Sequence, residues 1–151
     1  MMDWPLRGPW TADEASDFLR NSVIPLRLSC AGKDHYPVIA TQWFLLDEGE
    51  LLCATQRNSH IASLIRRESR CAFEISSEKL PYRGIRGRAL ASLDDLRGPV
   101  VLDRLIERYL GQTRGRLASW LKGRSDNETA IVIEPVNVSC WDYGDRMESE
   151  A

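Results

Sequence analysis

Apolar residues along this chain recur with two different periods, and the switches between them predict the elements. Ile24, Leu26 and Leu28 alternate with Arg27 and Ser29, the two-residue period of a half-buried strand over residues 24–31. Gly32-Lys33-Asp34 signals a turn,. A second strand is predicted over 37–46, a turn at Asp47-Glu48-Gly49 and a third strand over 50–54, so the last two form a hairpin,. Strands are also predicted over 70–76, over 82–93 and over 128–141, the last carrying Ile131, Ile133, Val136 and Val138. Gly84 and Gly87 within the fifth strand point to a bulge or to the close approach of something bulky.

Four segments carry helical spacing instead. Thr11-Ala12-Asp13-Glu14 is a capping box, a hydroxyl at the cap and a carboxylate three residues on,. It predicts a helix to about Asn21 with Ala15, Phe18 and Leu19 on its apolar side. Ile61, Leu64 and Ile65 predict a helix over 59–67,. Gly98-Pro99 opens another, with Val101, Leu102, Leu105, Ile106 and Tyr109 inward and Gly111 as its stop,. Residues 114–122 form a last piece that packs Leu117, Trp120 and Leu121 onto the sheet,. The polar residues after Tyr143 are expected to fray. Six strands with few helices and no regular strand–helix alternation make the chain mainly β. The expected architecture is an antiparallel barrel with peripheral helices.

The 151 residues amount to one domain,. The net charge of −2 gives no basic excess for nucleic acid or an anionic membrane surface,. No apolar run reaches the roughly 18 residues of a membrane span. Met1-Met2-Asp3-Trp4-Pro5 does not read as a secretory signal, so a cytoplasmic protein is expected,. Cys30, Cys53, Cys71 and Cys140 stand singly in predicted strands, where cysteine behaves as a small apolar residue. With only His35 and His60 beside them, no metal site is expected,.

The chemistry concentrates at Thr55-Gln56-Arg57-Asn58-Ser59-His60. Here a strand runs through a polar loop into a helix, presenting hydroxyls, a guanidinium and a helix N-terminus at one point. That combination suits a phosphate. Ser59-His60 does not read as a nucleophile–base pair, because adjacent residues rarely point at each other and no oxyanion framework accompanies them. Arg83, Arg86 and Arg88 alternate on one strand face, either as a solvated stripe or as a surface for an anionic substrate or phosphate,.

Four stretches together carry a resemblance. They are Trp43-Phe44 before the Asp-x-Gly turn, Thr55 with Ser59 four residues on, Arg70-Cys71-Ala72-Phe73-Glu74, and Tyr82-Arg83-Gly84-Ile85-Arg86-Gly87-Arg88-Ala89. In order and spacing the chain resembles the pyridoxamine 5'-phosphate oxidase-like family over about residues 14–143. The resemblance implies a six-stranded antiparallel split barrel of the FMN-binding type, a homodimer, and a flavin at the dimer seam acting on a small-molecule substrate. Carried over by position, it implies that Ile39, Ala40, Thr41, Gln42 and Trp43 line the flavin ring, and that Thr55, Arg57, Ser59 and His60 surround its phosphate. It also implies that Tyr82 and Arg86 touch the flavin and that Trp141 packs on it from the partner. Relatives often place a lysine two residues after the serine; here that residue is Ile61. The deazaflavin F420, with Arg83, Arg88 and Arg114 toward its acidic tail, is the alternative cofactor. A non-catalytic flavin- or haem-binding module is the alternative function. The tail Trp141-Asp142-Tyr143-Gly144-Asp145-Arg146 matches true pyridoxamine-phosphate oxidase only loosely, and no residue stands out as catalytic.

Overall fold

The first helix begins as its sequence requires. In the computed structural model, which describes residues 2–111 and 115–148, the Thr11 hydroxyl accepts from the Glu14 amide and the Glu14 carboxylate accepts from the Thr11 amide. α1 (Ala12–Asn21) buries Ala15 and Leu19. The remaining elements are β1 (Leu6–Arg7), β2 (Leu26–Ala31), β3 (Pro37–Gln42), β4 (Leu45–Asp47), β5 (Glu50–Gln56), α2 (His60–Arg67), β6 (Arg70–Ser76), β7 (Arg83–Asp94), α3 (Gly98–Leu110), α4 (Arg116–Lys122), β8 (Glu128–Asp142) and α5 (Gly144–Glu148).

The strands form one sheet in the order β3-β2-β6-β7-β8-β5-β4, with β1 added in parallel alongside β8. All the other pairings are antiparallel. The long β7 and β8 are the spine, and the sheet wraps around Leu26, Leu28, Leu51, Phe73, Ile75, Ile85, Ile131 and Ile133. Cys30, Cys53 and Cys140 are buried in that same core and Cys71 packs against it, as the strand positions of the cysteines suggested. Burial holds the Cys71 thiol at a pKa of about 12, so it is not ionised at neutral pH,. On the other side of β5 and β8, α3 packs Val101 and Leu105 against Leu45, Leu52, Ala130 and Val132.

Eight strands replace the expected six, for two reasons. β1 is two residues long, too short for a period to show. The predicted second strand is interrupted at Trp43-Phe44, giving β3 and β4. There the Tyr109 hydroxyl accepts from the Phe44 amide at 3.1 Å and donates to the Ile24 carbonyl at 2.7 Å, so a phenol takes the place of ladder hydrogen bonds. The hairpin turn is as expected: Glu48 and Gly49 both have positive φ, 50° and 80°, the geometry that matches the twist of the flanking strands.

Two further expectations are corrected. Gly144–Glu148 form α5 rather than fraying, because Asp142 Oδ1 caps the Gly144 amide and the Tyr143 amide donates to the Tyr82 carbonyl. Trp120 and Leu117 are exposed rather than packed on the sheet; Arg124 covers the Trp120 ring at 4.4 Å, and α4 buries only Ala118. Arg114 lies outside the described residues.

Candidate functional site

The loop between β5 and α2 is held by a small set of bonds. Ser59 caps α2: its Oγ accepts from the Ala62 amide at 3.2 Å and from the Thr55 hydroxyl at 2.9 Å. The Ser59 amide donates to the Gln56 carbonyl at 3.0 Å. Of the four donors a helix N-terminus leaves open, those of His60 and Ile61 therefore have no partner among the described residues. They form the positive end of the helix dipole. The Arg57 backbone is pinned on both sides, its amide donating to the Asn127 carbonyl and its carbonyl accepting from Arg66, each at 2.8 Å. Asn127 Nδ2 donates to Gln56 Oε1 and Asn58 Oδ1. The Arg57 side chain is half exposed and pairs with Asp95 at 3.8 Å; His60 is exposed beside it. Thr129, the cross-strand partner of Thr55, is fully buried and its hydroxyl has no partner. The backbone of the loop is fixed while the Arg57 and His60 side chains reach the surface and two amides have no partner among the described residues, which is what an anion site requires,.

Beneath the loop lies Glu128, 6% exposed, whose carboxylate accepts from Gln56 Nε2 at 2.6 Å. Burial raises its pKa, against the opposing effects of the Gln56 hydrogen bond and the Arg124 charge. A carboxyl group whose folded pKa is raised favours folding when protonated. That contribution is complete below the unfolded value near 4.5 and is lost as pH rises through the folded value. Glu128→Gln keeps an acceptor for Gln56 and removes the titration. The variant is expected to gain in melting temperature relative to the native chain as pH rises from 4.5 toward neutrality. Parallel melting curves across that range would contradict the assignment.

Strand β3 supplies the next group of predicted residues. Ile39 and Thr41 point outward and are exposed, whereas Ala40 packs on the core. Gln42 is half buried at the strand end. Trp43 stacks on Tyr109, ring centroids 5.0 Å apart and 9° from parallel, and packs in the same cluster as Ala54, the neighbour of Thr55. The end of β3 and the polar loop thus meet through Trp43 and Ala54, with Trp43 serving as a packing residue there.

A third group lies on β7 and β8. Gly84 is opposite Trp141 in register, and a Cβ on Gly84 would fall 2.7 Å from the Trp141 ring. The bulky neighbour expected at Gly84 is this indole. Arg86 lies over the same ring at 5.3 Å. Tyr82, exposed, precedes β7 and its amide donates to the Met147 sulfur. A β-bulge falls at Arg88/Ala89, just beyond Gly87.

Arg86 and Ile39 line one cavity of about 1000 Å³ on the outer face of the sheet. Within one chain, the predicted residues of the loop do not open into it. The cavity also draws on Arg7, Arg27, Ser29, Glu74, Arg88 and Ser139, which the sequence reading did not single out, Arg88 apart. The alternation of Arg27 with Leu26 and Leu28 was visible, but only the strand register sets Arg27 beside Glu74.

No family model matches the chain, and no curated protein matches it. Solved structures do. A conserved hypothetical protein from Mycobacterium tuberculosis superposes with a TM-score of 0.73 at 22% identity, covering 89% of this chain and 86% of that one. An F420 reductase superposes at 0.70 and 18% identity, covering 82% and 94%. A candidate pyridoxamine 5'-phosphate oxidase from Listeria innocua superposes at 0.62 and 17% identity, covering 85% and 95%. The fold is the split barrel of the pyridoxamine 5'-phosphate oxidase-like proteins. Identities this low carry the split barrel and not the chemistry.

Proposed function

We propose that this chain binds a flavin-type cofactor, FMN or its deazaflavin counterpart F420, at the seam of a homodimer and serves as an oxidoreductase for a small molecule. The observation that carries the reading is the loop 55–60. Its two hydroxyls are in contact, its backbone is pinned, two helix amides are unpartnered, and Arg57 and His60 are exposed at its rim. The residues present fit a phosphate: an arginine fork and a helix N-terminus supply directed donors, and the orphaned Thr129 hydroxyl leaves the hydrogen bonding incomplete. That an F420 reductase shares the fold supports a flavin-type cofactor in general.

When bound, such a cofactor supplies hydride chemistry, and the protein contributes position, polarity and exclusion of water. Thr55, Arg57, Ser59 and His60 would hold the phosphate. The edge of β3 from Ile39 to Gln42 offers backbone groups to a planar ring, and Trp43 sets where that edge ends. Trp141, packed beside Gly84 on the neighbouring strand, offers a stacking surface at the rim of the outer sheet face. Exposed Ile39 and Leu90 on that face suit burial against a second copy,. F420 is the second reading, favoured by Ile61. This residue is buried in the core and offers no cation where a lysine would clamp an FMN phosphate.

The test is an absorbance spectrum of the purified protein from 300 to 600 nm, before and after adding FMN or F420 and removing the excess. Retained absorbance identifies the cofactor. A protein that retains neither contradicts the proposal.

A further inference from the structure

The register of the sheet lines up its outer face into two cross-strand rows. The first runs Thr41, Arg27, Glu74, Arg86, Ser139, Arg7, and the second Ile39, Ser29, Ala72, Arg88, Asn137. Neighbours within a row are one strand apart, about 4.8 Å, and the rows are two residues apart, about 7 Å. Apart from Thr41, all of these residues line the 1000 Å³ cavity, which Pro5 and Leu6 help to wall. It therefore gathers four arginines and one glutamate in a chain whose net charge is −2.

Alternating charges across a sheet ordinarily pair. Here most do not. Arg27 reaches outside the cavity to Glu78, at 3.2 Å. Glu74 accepts from the Ser76 hydroxyl at 3.0 Å. Arg86 lies over the Trp141 ring, and neither Arg7 nor Arg88 has a carboxylate within 4.0 Å among the described residues. Three guanidinium groups thus share a concave floor with Ser29, Ser139 and Asn137, and among the described residues none of the three has a carboxylate within 4.0 Å, the one floor carboxylate, Glu74, accepting instead from Ser76. A solvated stripe on a flat surface has neither the walls nor the converging hydroxyl and amide donors. The cavity volume suits a small organic ligand, and arginine forks are matched to carboxylate and phosphate groups.

We propose that this floor binds a small organic polyanion, carrying at least two carboxylate or phosphate charges, through Arg7, Arg86 and Arg88. This goes beyond the cofactor reading and does not require it. The site is separate from the loop 55–60, and its ligand is either the anionic substrate or a charged extension of the cofactor.

The experiment is a titration of the cofactor-free protein with pyrophosphate and, separately, with citrate. It is followed by amide chemical shifts and by calorimetry at low and at physiological salt. The expected result is saturable binding that weakens with salt, with shifts at Ser29, Asn137 and Ser139. Arg88→Gln and Arg7→Gln should each weaken it about tenfold and leave the melting temperature unchanged, since both side chains are exposed. Arg57→Ala should leave the shifts at Ser29, Asn137 and Ser139 unchanged, since Arg57 does not line this cavity. Absence of saturable binding would overturn the proposal. So would binding that Arg57→Ala abolishes and Arg88→Gln spares, because the anion would then sit on the loop. Repeating the titration on cofactor-loaded protein separates the sources: undiminished binding identifies a substrate site, and exclusion identifies a site for the cofactor's own charge. A protein that takes pyrophosphate at this floor but neither FMN nor F420 retains this site and loses the cofactor reading.

Discussion

Tyr109→Ala is expected to destabilise the fold by about 3–5 kcal/mol, as large aromatic truncations in packed sites do. That is a fall in melting temperature on the order of 10 °C for a domain of this size. Two separate contributions meet in this residue. Its ring stacks on Trp43 and joins the cluster that fastens α3 to β4, β5 and β8. Its hydroxyl bridges the Ile24 carbonyl and the Phe44 amide, the two backbone groups left over where β3 breaks into β4. Tyr109→Phe separates the two: it keeps the stack and strands the buried backbone groups, so about 1–3 kcal/mol is expected. The next residue belongs to the same clamp. Arg108 donates to the carbonyls of Leu19, Arg20 and Ser22, closing the C-terminus of α1 onto α3, and lies over the Phe44 ring. Denaturant unfolding of the single variants and of Tyr109→Phe combined with Arg108→Ala would measure the coupling. A Tyr109→Ala protein within 1 kcal/mol of the native chain would mean that the β3–β4 break is held by something else.

The same residue shows where sequence reading stops. Periodicity placed Tyr109 on the inward face of α3, and that is where it lies. Nothing local in residues 37–46 announced that a phenol more than sixty positions away would interrupt their ladder. The hairpin turn, the capping box and the Gly111 stop were legible because each depends on neighbours within four residues. α5 was not, because it depends on Tyr82 and Asp142 together. The candidate site divides along the same line. Thr55, Ser59 and the start of α2 were readable as a strand–loop–cap sequence. Gly84 signalled a bulky neighbour but could not say that it would be Trp141. The arginine rows were readable only in part: of the three arginines expected on one face of β7, Arg86 and Arg88 share it while Arg83, an odd number of residues away, falls on the other, and Arg7 and Arg27 arrive by register,.

The loop's own arginine gives the second large effect, and its sign is checked by a partner. Arg57→Ala is expected to weaken binding of the flavin-type cofactor by about 10- to 100-fold, the range for losing a charge-assisted hydrogen bond of roughly 1.5–3 kcal/mol. The loop should otherwise stay in place, because the Arg57 backbone bonds to Asn127 and Arg66 do not involve its guanidinium. Asp95 acts in the opposite direction. Its carboxylate pairs with Arg57 at 3.8 Å between two half-exposed side chains, an arrangement in which the pair itself contributes at most about 1 kcal/mol. It competes with a phosphate for the same guanidinium and repels it. Asp95→Asn is therefore expected to tighten binding a few-fold at low salt, with the gain shrinking as ionic strength rises. Arg57→Lys should retain part of the affinity, since it keeps the charge and loses the two-pronged fork. Fluorescence or absorbance titration of the native chain, these three variants and Ser59→Ala at two salt concentrations reads all of this at once. If Arg57→Ala binds within twofold of the native chain while Ser59→Ala does not, the phosphate rests on the helix amides and cap alone. If neither variant changes affinity, the cofactor's phosphate lies elsewhere on the split barrel.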